Sequence, residues 1–313
     1  MSTQLPALSL VAVPGRRNAT LDLVRDIEKR GFQGIYCPSM SDGLALCEAI
    51  GLITNEITFG TSIAPIYTRH INDFAHVSSF IHEVSDGRFR FGVGVSHAPA
   101  MDRLGVSQGK PLGDMRKFVE DLKAVPRAGE LPPIVLATLR KKMIQLSEQI
   151  GDGMVFANGA RSHMQESLSV LNESSRSGES GESGESGESG EFFIGNMIPT
   201  CISDDVEAAK AVNRKTLTSY ATLPNYRNYW KEAGYVEEME GVEKVMATGE
   251  MDKVAECLSD KWLADTTLFG SASEVREGIE AWFDAGIKTP IIVPSSASGG
   301  QMKAFEEFFE IWN

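Results

Sequence analysis

The chain has 313 residues, 42% of them hydrophobic and 23% charged, which is the composition of a soluble globular protein long enough for one large core. Its formal charge of -13 excludes a nucleic-acid partner, because phosphate backbones are held by a basic field. No segment has the apolar length of a membrane span, and the N-terminus lacks a basic-then-apolar signal. The expectation is therefore a cytoplasmic protein with no membrane partner.

Short apolar runs alternate with amphipathic stretches, the pattern of βα units around a parallel sheet. A strand is predicted at 9–13, then a helix capped by Asn18 and stopped by Gly31. A strand at 34–37 leads to a helix at 43–55. A third strand at 58–64 leads to a helix on which Phe74, Val77, Ile81 and Val84 share one face, ending at Asp86-Gly87. In the fourth strand, 89–95, the bulky Phe89, Phe91, Val93 and Val95 alternate with Arg90, Gly92 and Gly94. Period two turns the bulky set toward helices and the glycines toward the barrel interior. There the glycines either leave room for a large ligand at the strand's end or relieve crowding from neighbours.

A helix at 111–125, a strand at 134–137, a helix at 141–150 and a strand at 153–156 follow. Next come a helix at 162–172, a strand at 192–199 and a long helix opened by Asp204 and Asp205. Ser271 and Glu274 form a capping box, 289–293 is the last strand, and the closing helix carries Phe305, Phe308, Phe309 and Trp312. Eight strands and eight helices in strict alternation predict an α/β fold, a (β/α)8 TIM barrel forming a single domain over 1–313. Residues 177–191 are five Ser-Gly-Glu triplets, a solvated linker composition resembling an artificial connector, and they hold five of the excess negative charges. Residues 223–269 form a helical insertion after the seventh strand, rich in aromatics. Emerging near the catalytic face, it serves either as a substrate wall or as a hairpin that packs the barrel or a partner subunit.

The four cysteines form no CxxC pair, and His70, His76 and His82 are spaced so that no helix face collects them, so no metal site is expected. Catalytic residues of such barrels lie at the C-terminal strand ends. Those ends read Pro38 to Asp42 (with Ser39), Ser62-Ile63-Ala64, Gly94 to His97 (with Ser96), Ala137 to Arg140 and Phe156 to Arg161. They are rich in small and hydroxyl side chains and contain neither paired carboxylates nor a Ser-His-Asp arrangement, which suits a bound cofactor carrying the reactive centre. Arg140, Lys141 and Lys142 cluster at a helix N-terminus, either a phosphate site or a solvated basic turn. Asn158, Gly159 and Arg161 stand at the next loop, positioned to complete the same phosphate cradle.

The runs Ile57 to His70 and Val84 to His97, with SDGRFRFGVGVSH at their core, together with Ile150 to Gly159 and Ala285 to Pro290, resemble the luciferase-like oxidoreductases. The resemblance spans nearly the whole chain outside the triplets. It implies a flavin-type cofactor, either coenzyme F420 or FMN, and a small-molecule substrate; a homodimer is expected because apolar barrel rims often pair. In the F420-dependent branch the third strand is bulged, with a non-prolyl cis peptide propping the deazaflavin ring, which by position is Ser62-Ile63. The ring-contacting position falls on His97, whose imidazole would protonate or hydrogen-bond the substrate. The phosphate contacts fall on Thr138, Leu139, Arg140, Asn158, Gly159 and Arg161. Ser39, Met40 and Asp42 stand where several relatives carry a histidine. The short stretch after the fourth strand favours hydride transfer with F420 over the FMN-dependent monooxygenase. A ligand-binding barrel without catalysis is the alternative of another class.

Overall fold

Whether the glycines of the fourth predicted strand make room or relieve crowding is decided by their neighbours. In a computed structural model, which describes residues 4–177 and 191–312, a Cβ on Gly92 would lie 1.8 Å from the Thr61 carbonyl oxygen. One on Gly60 would lie 2.3 Å from the Arg90 carbonyl oxygen, and one on Gly94 would meet Ala137 Cβ at 2.8 Å. Crowding is the answer: the space is already filled by adjacent strands.

The described residues fall into two compact units, one within 1–155 and 170–195, the other within 156–169 and 196–313. In the first, β1 (Ala7–Ser9), β2 (Gly34–Cys37), β3 (Thr58–Thr61), β4 (Ala64–Pro65), β5 (Phe89–Gly94) and β6 (Ile134–Ala137) are parallel neighbours, and β6 pairs with the start of β7 (Gly153–Ala157). β1 ends at Ser9, short of the expected 9–13. Pro14 and Gly15, the latter at φ +82°, turn the chain there and leave Val13 39% exposed. The same turn starts the next helix at Arg17, with Arg16 at the cap position instead of Asn18.

The expected third strand is split. Gly60 pairs with Arg90 and Ala64 with Val93, so one strand advances four residues while the other advances three. This is a one-residue bulge. The Ser62–Ile63 peptide within it is cis, as the resemblance implies. Phe91 lies 5.8 Å from Phe74 of the helix Ile71–Val84, and Phe74 meets Phe118 of Pro111–Lys123 edge-on at 5.4 Å, so the bulky set of β5 faces helices as expected. On the other face, Arg90 stacks over the Phe193 ring and Tyr36 lies beside the same ring.

The second unit carries β8 (Phe193–Ile202) from Asn196 onward, β9 (Leu268–Gly270) parallel to it, and β10 (Thr289–Ser295). β9 is a strand the periodicity did not announce. The capping box of Ser271 and Glu274 is formed as expected, and Asp205 caps Val206–Ala221 through the Ala208 amide. The expected helix at 162–172 is broken into a 3-10 turn and the short helix Met164–Leu168. Of the triplets, 178–190 lie outside the described residues. The strand sequence follows chain order through the parallel sheet, with an extra helical segment between β8 and the closing units, and the fold is an α/β (β/α)8 barrel.

Tyr226, Tyr229, Trp230 and Tyr235 are all buried, and Trp230 meets Trp262 edge-on at 4.8 Å. These rings pack within their unit, while Gly234, Tyr235, Lys261 and Asp265 of the same segment border a cavity, so the expectations of a substrate wall and of a packing hairpin both stand.

Candidate functional site

In the first unit the parallel strands deliver Ser62, Ile63, Ala64, Gly94, Ala137 and Thr138 to the C-terminal ends of neighbouring strands. Ile63 follows the bulge with its Cγ1 3.0 Å from where a Gly94 Cβ would be, and Ala137 abuts the same point. Ile63, Gly94 and Ala137 thus form a continuous apolar shelf, with Ala64 paired to Val93 behind it. The amide of Ser62 donates to the Cys37 carbonyl at 2.7 Å, whereas its hydroxyl is buried with no partner among the described residues. The hydroxyl of Thr138 is in the same condition, although its amide donates to Val155 at 2.9 Å. Each residue keeps about 6% of its surface. Buried hydroxyls without partners are uncommon and mark positions where a ligand or water completes the bonding. Leu139 is half-buried and Arg140 exposed; Arg140 takes the cap position of Lys141–Ile150, with no side chain capping the helix and no acid in its first turn. That helix start can receive an anion.

Ser96 follows β5 at φ +58°, a left-handed conformation costly for serine, and turns the chain into His97. Gln108 holds this corner by donating to the Val95 carbonyl at 2.5 Å. His97 is half-buried, and burial lowers its pKa below the ordinary 6.5. The imidazole is therefore neutral at pH 7, which suits it to accept a proton or to hydrogen-bond rather than to act as a standing acid. Ser39 lies exposed in the turn after β2, and the carboxylate of Asp42 is committed to the Ala45 amide and to Arg69 at 2.5 Å. Two residues passed over in the sequence meet in this unit: the Tyr67 phenol donates to Asp114 at 2.5 Å, and burial together with that carboxylate pushes its pKa up. Asp114 also accepts the Gly109 amide at 2.9 Å. Nothing in the local pattern signals this pair, since 47 residues separate its members.

The second unit holds Phe156, Asn158, Gly159 and Arg161. Phe156 has no exposed surface and belongs to the core, which corrects its expected place among the cofactor contacts. Asn158 sits at φ +58°, a conformation asparagine tolerates. The amides of this loop are already engaged. Asn158 donates to Met197 at 3.0 Å, Gly159 to the Asn196 side chain at 3.2 Å, Ala160 to the Tyr229 hydroxyl at 3.0 Å and Ser162 to Asp265 at 2.9 Å. The backbone amides of Asn158 and Gly159 are thus bonded within the protein, whereas the Asn158 Nδ2 is buried without a hydrogen bond among the described residues. The Arg161 side chain remains, half-buried and without a hydrogen bond or ion pair among the described residues. It borders a cavity of about 350 Å³ with Ser162, Gly234, Tyr235, Lys261 and Asp265.

Residues 4–289 match the family model of the luciferase-like monooxygenases. The chain is 23% identical over 321 residues to the Mycobacterium tuberculosis protein named "Putative coenzyme F420-dependent oxidoreductase Rv3520c", covering 88% of this chain and 90% of that one. In fold it is similar to the coenzyme F420 dependent tetrahydromethanopterin reductase of Methanopyrus kandleri, with TM-score 0.71 and 15% identity over 98% of this chain and 97% of that one. It is also similar to an F420-dependent secondary alcohol dehydrogenase in complex with an F420-acetone adduct, with TM-score 0.69 and 14% identity over 98% of each chain.

Proposed function

From the membership of this chain in the luciferase-like monooxygenase family, which makes it an enzyme of the oxidoreductase class, we propose that it is an F420-dependent oxidoreductase passing a hydride between the deazaflavin and a small organic substrate. The observation that carries the choice of F420 is the similarity to an F420-named relative along about nine-tenths of both chains. The residues at the sheet edge fit such a cofactor: an apolar shelf of Ile63, Gly94 and Ala137 for a flat ring, and the unpartnered hydroxyls of Ser62 and Thr138 for its polar groups. The uncapped start of Lys141–Ile150, beside Leu139 and Arg140, suits its phosphate.

When bound, the deazaflavin supplies the carbon that carries the hydride. The protein's part is to hold the ring against the shelf, exclude water, and manage one proton. His97 is the group for that proton. Its neutral imidazole accepts from a substrate hydroxyl when the substrate is oxidised, and returns the proton to the oxygen when a carbonyl is reduced.

Parallel titrations with F420 and FMN, followed by tryptophan fluorescence, test the assignment. Micromolar binding of F420 alone supports it. Preference for FMN, with oxygen consumed by the reduced complex, would replace it with the monooxygenase reading that the family description favours. Binding of neither would remove the cofactor assignment altogether.

A further inference from the structure

The corner that carries His97 is closed by a circuit of hydrogen bonds lying wholly within the first unit. At the end of β5 the Gly94 carbonyl accepts the Ile66 amide at 3.0 Å, and the Val95 carbonyl accepts the Gln108 side-chain amide at 2.5 Å. Tyr67, next to Ile66, donates its phenol to Asp114, and Gly109, next to Gln108, donates its amide to the same carboxylate oxygen. The circuit thus leaves the strand at one carbonyl and returns at the next, and Ser96 and His97 follow directly. Residues 106–110 have no regular secondary structure, so Gln108 is placed through the bond of its neighbour Gly109. A Cβ on Gly109 would stand 2.6 Å from the Asp114 oxygen, and only a bare residue lets amide and carboxylate meet. Asp114 lies in the first turn of Pro111–Lys123, where the helix dipole favours its charge. Burial and that carboxylate raise the Tyr67 pKa, so the phenol keeps the proton it donates.

We propose that Gln108, Tyr67 and Asp114 are positioning residues that fix the backbone at Val95 and thereby the place of the His97 imidazole. The inference rests on the reading of His97 as the proton-handling group. Proton transfer needs hydrogen-bond reach, so an imidazole on a loop serves only if its backbone is pinned. Ser96 at φ +58° sets the direction of that backbone, and such a conformation persists only where surrounding bonds over-determine it. The circuit supplies those bonds on the strand side. On the other side the His97 carbonyl accepts the Ala100 and Met101 amides, which start the helix Ala98–Arg103.

The test follows the five histidines by NMR at their Cε1–H signals, with His97 assigned by its absence in His97→Ala, and the loop amides by hydrogen exchange. Gln108→Leu, Tyr67→Phe and Asp114→Ala are expected to speed exchange across 95–110 about three- to tenfold, as loss of one hydrogen bond does. Each is also expected to raise the His97 midpoint toward 6.5, because a loosened corner admits water, while the other four signals stay in place. Removing a nearby negative charge would lower that midpoint, so the sign separates lost cover from lost charge. Asp114→Asn, whose amide oxygen can accept both bonds, should behave as the unaltered protein does. Faster exchange with an unmoved His97 midpoint, in variants that thermal melting shows to be folded, means that the bonds fasten the loop alone and overturns the proposal. So does an Asp114→Asn variant that behaves like Asp114→Ala. Tryptophan fluorescence with F420 is read separately on the unaltered protein. Absence of binding there removes the F420 reading, whereas the histidine signals alone decide the positioning role.

Discussion

Two loops that look alike in the sequence, Thr138 to Lys142 after β6 and Asn158 to Ser162 after β7, are treated oppositely by the fold. Both follow a buried strand, both precede a helical turn, and both carry basic residues. The first is left with an unpartnered hydroxyl and a helix start that no side chain caps. The second has its amides at 158, 159, 160 and 162 bonded to the protein, three of them by side chains. A loop closed in this way contributes to stability and can act on a ligand only through what it leaves out, here the buried Asn158 Nδ2 and the Arg161 side chain, neither of them hydrogen-bonded among the described residues. A loop left open is poised for binding at the cost of unsatisfied groups in the empty protein.

Substitutions should separate the two behaviours. Trp230→Ala, which empties a fully buried site and removes the partner of the Asn158 carbonyl, is expected to lower stability by about 3–5 kcal/mol in urea denaturation. A loss under 1 kcal/mol would mean that the closed loop is not held as described. His97→Ala, at the corner after β5, is expected to reduce kcat about 100-fold, roughly 2.7 kcal/mol in activation free energy, in protein that still melts cooperatively. Because burial holds His97 below its ordinary 6.5, the base form persists into mild acid. In the direction that oxidises substrate, kcat/KM should fall only as pH drops through a midpoint below 6.5, and an acid limb centred above 7 would argue against His97 as the base. The smallest effect belongs to Thr138→Val, which removes a hydroxyl without a partner. The free protein should gain up to about 1 kcal/mol, while F420 binding weakens a few-fold. A clear loss of stability in that variant would show the hydroxyl to be satisfied after all.

The alternation of apolar runs determined the βα repeat, and the spacing of Gly92 and Gly94 against their bulky neighbours determined which face of β5 looks inward. Those are properties of local order, since period two and period 3.6 are written in consecutive residues. The split of the third strand followed from a family resemblance, not from periodicity, because one added residue leaves no trace in composition. Why the glycines are there and which amides of two similar loops are engaged were decided by partners far along the chain. Gly92 must be bare because of Thr61. Ala160 is bonded because Tyr229 arrives from 69 residues away, and Ser162 because Asp265 arrives from 103. A side chain's type announces that it can accept a hydrogen bond, but only packing decides which donor reaches it and therefore which groups are left for a ligand.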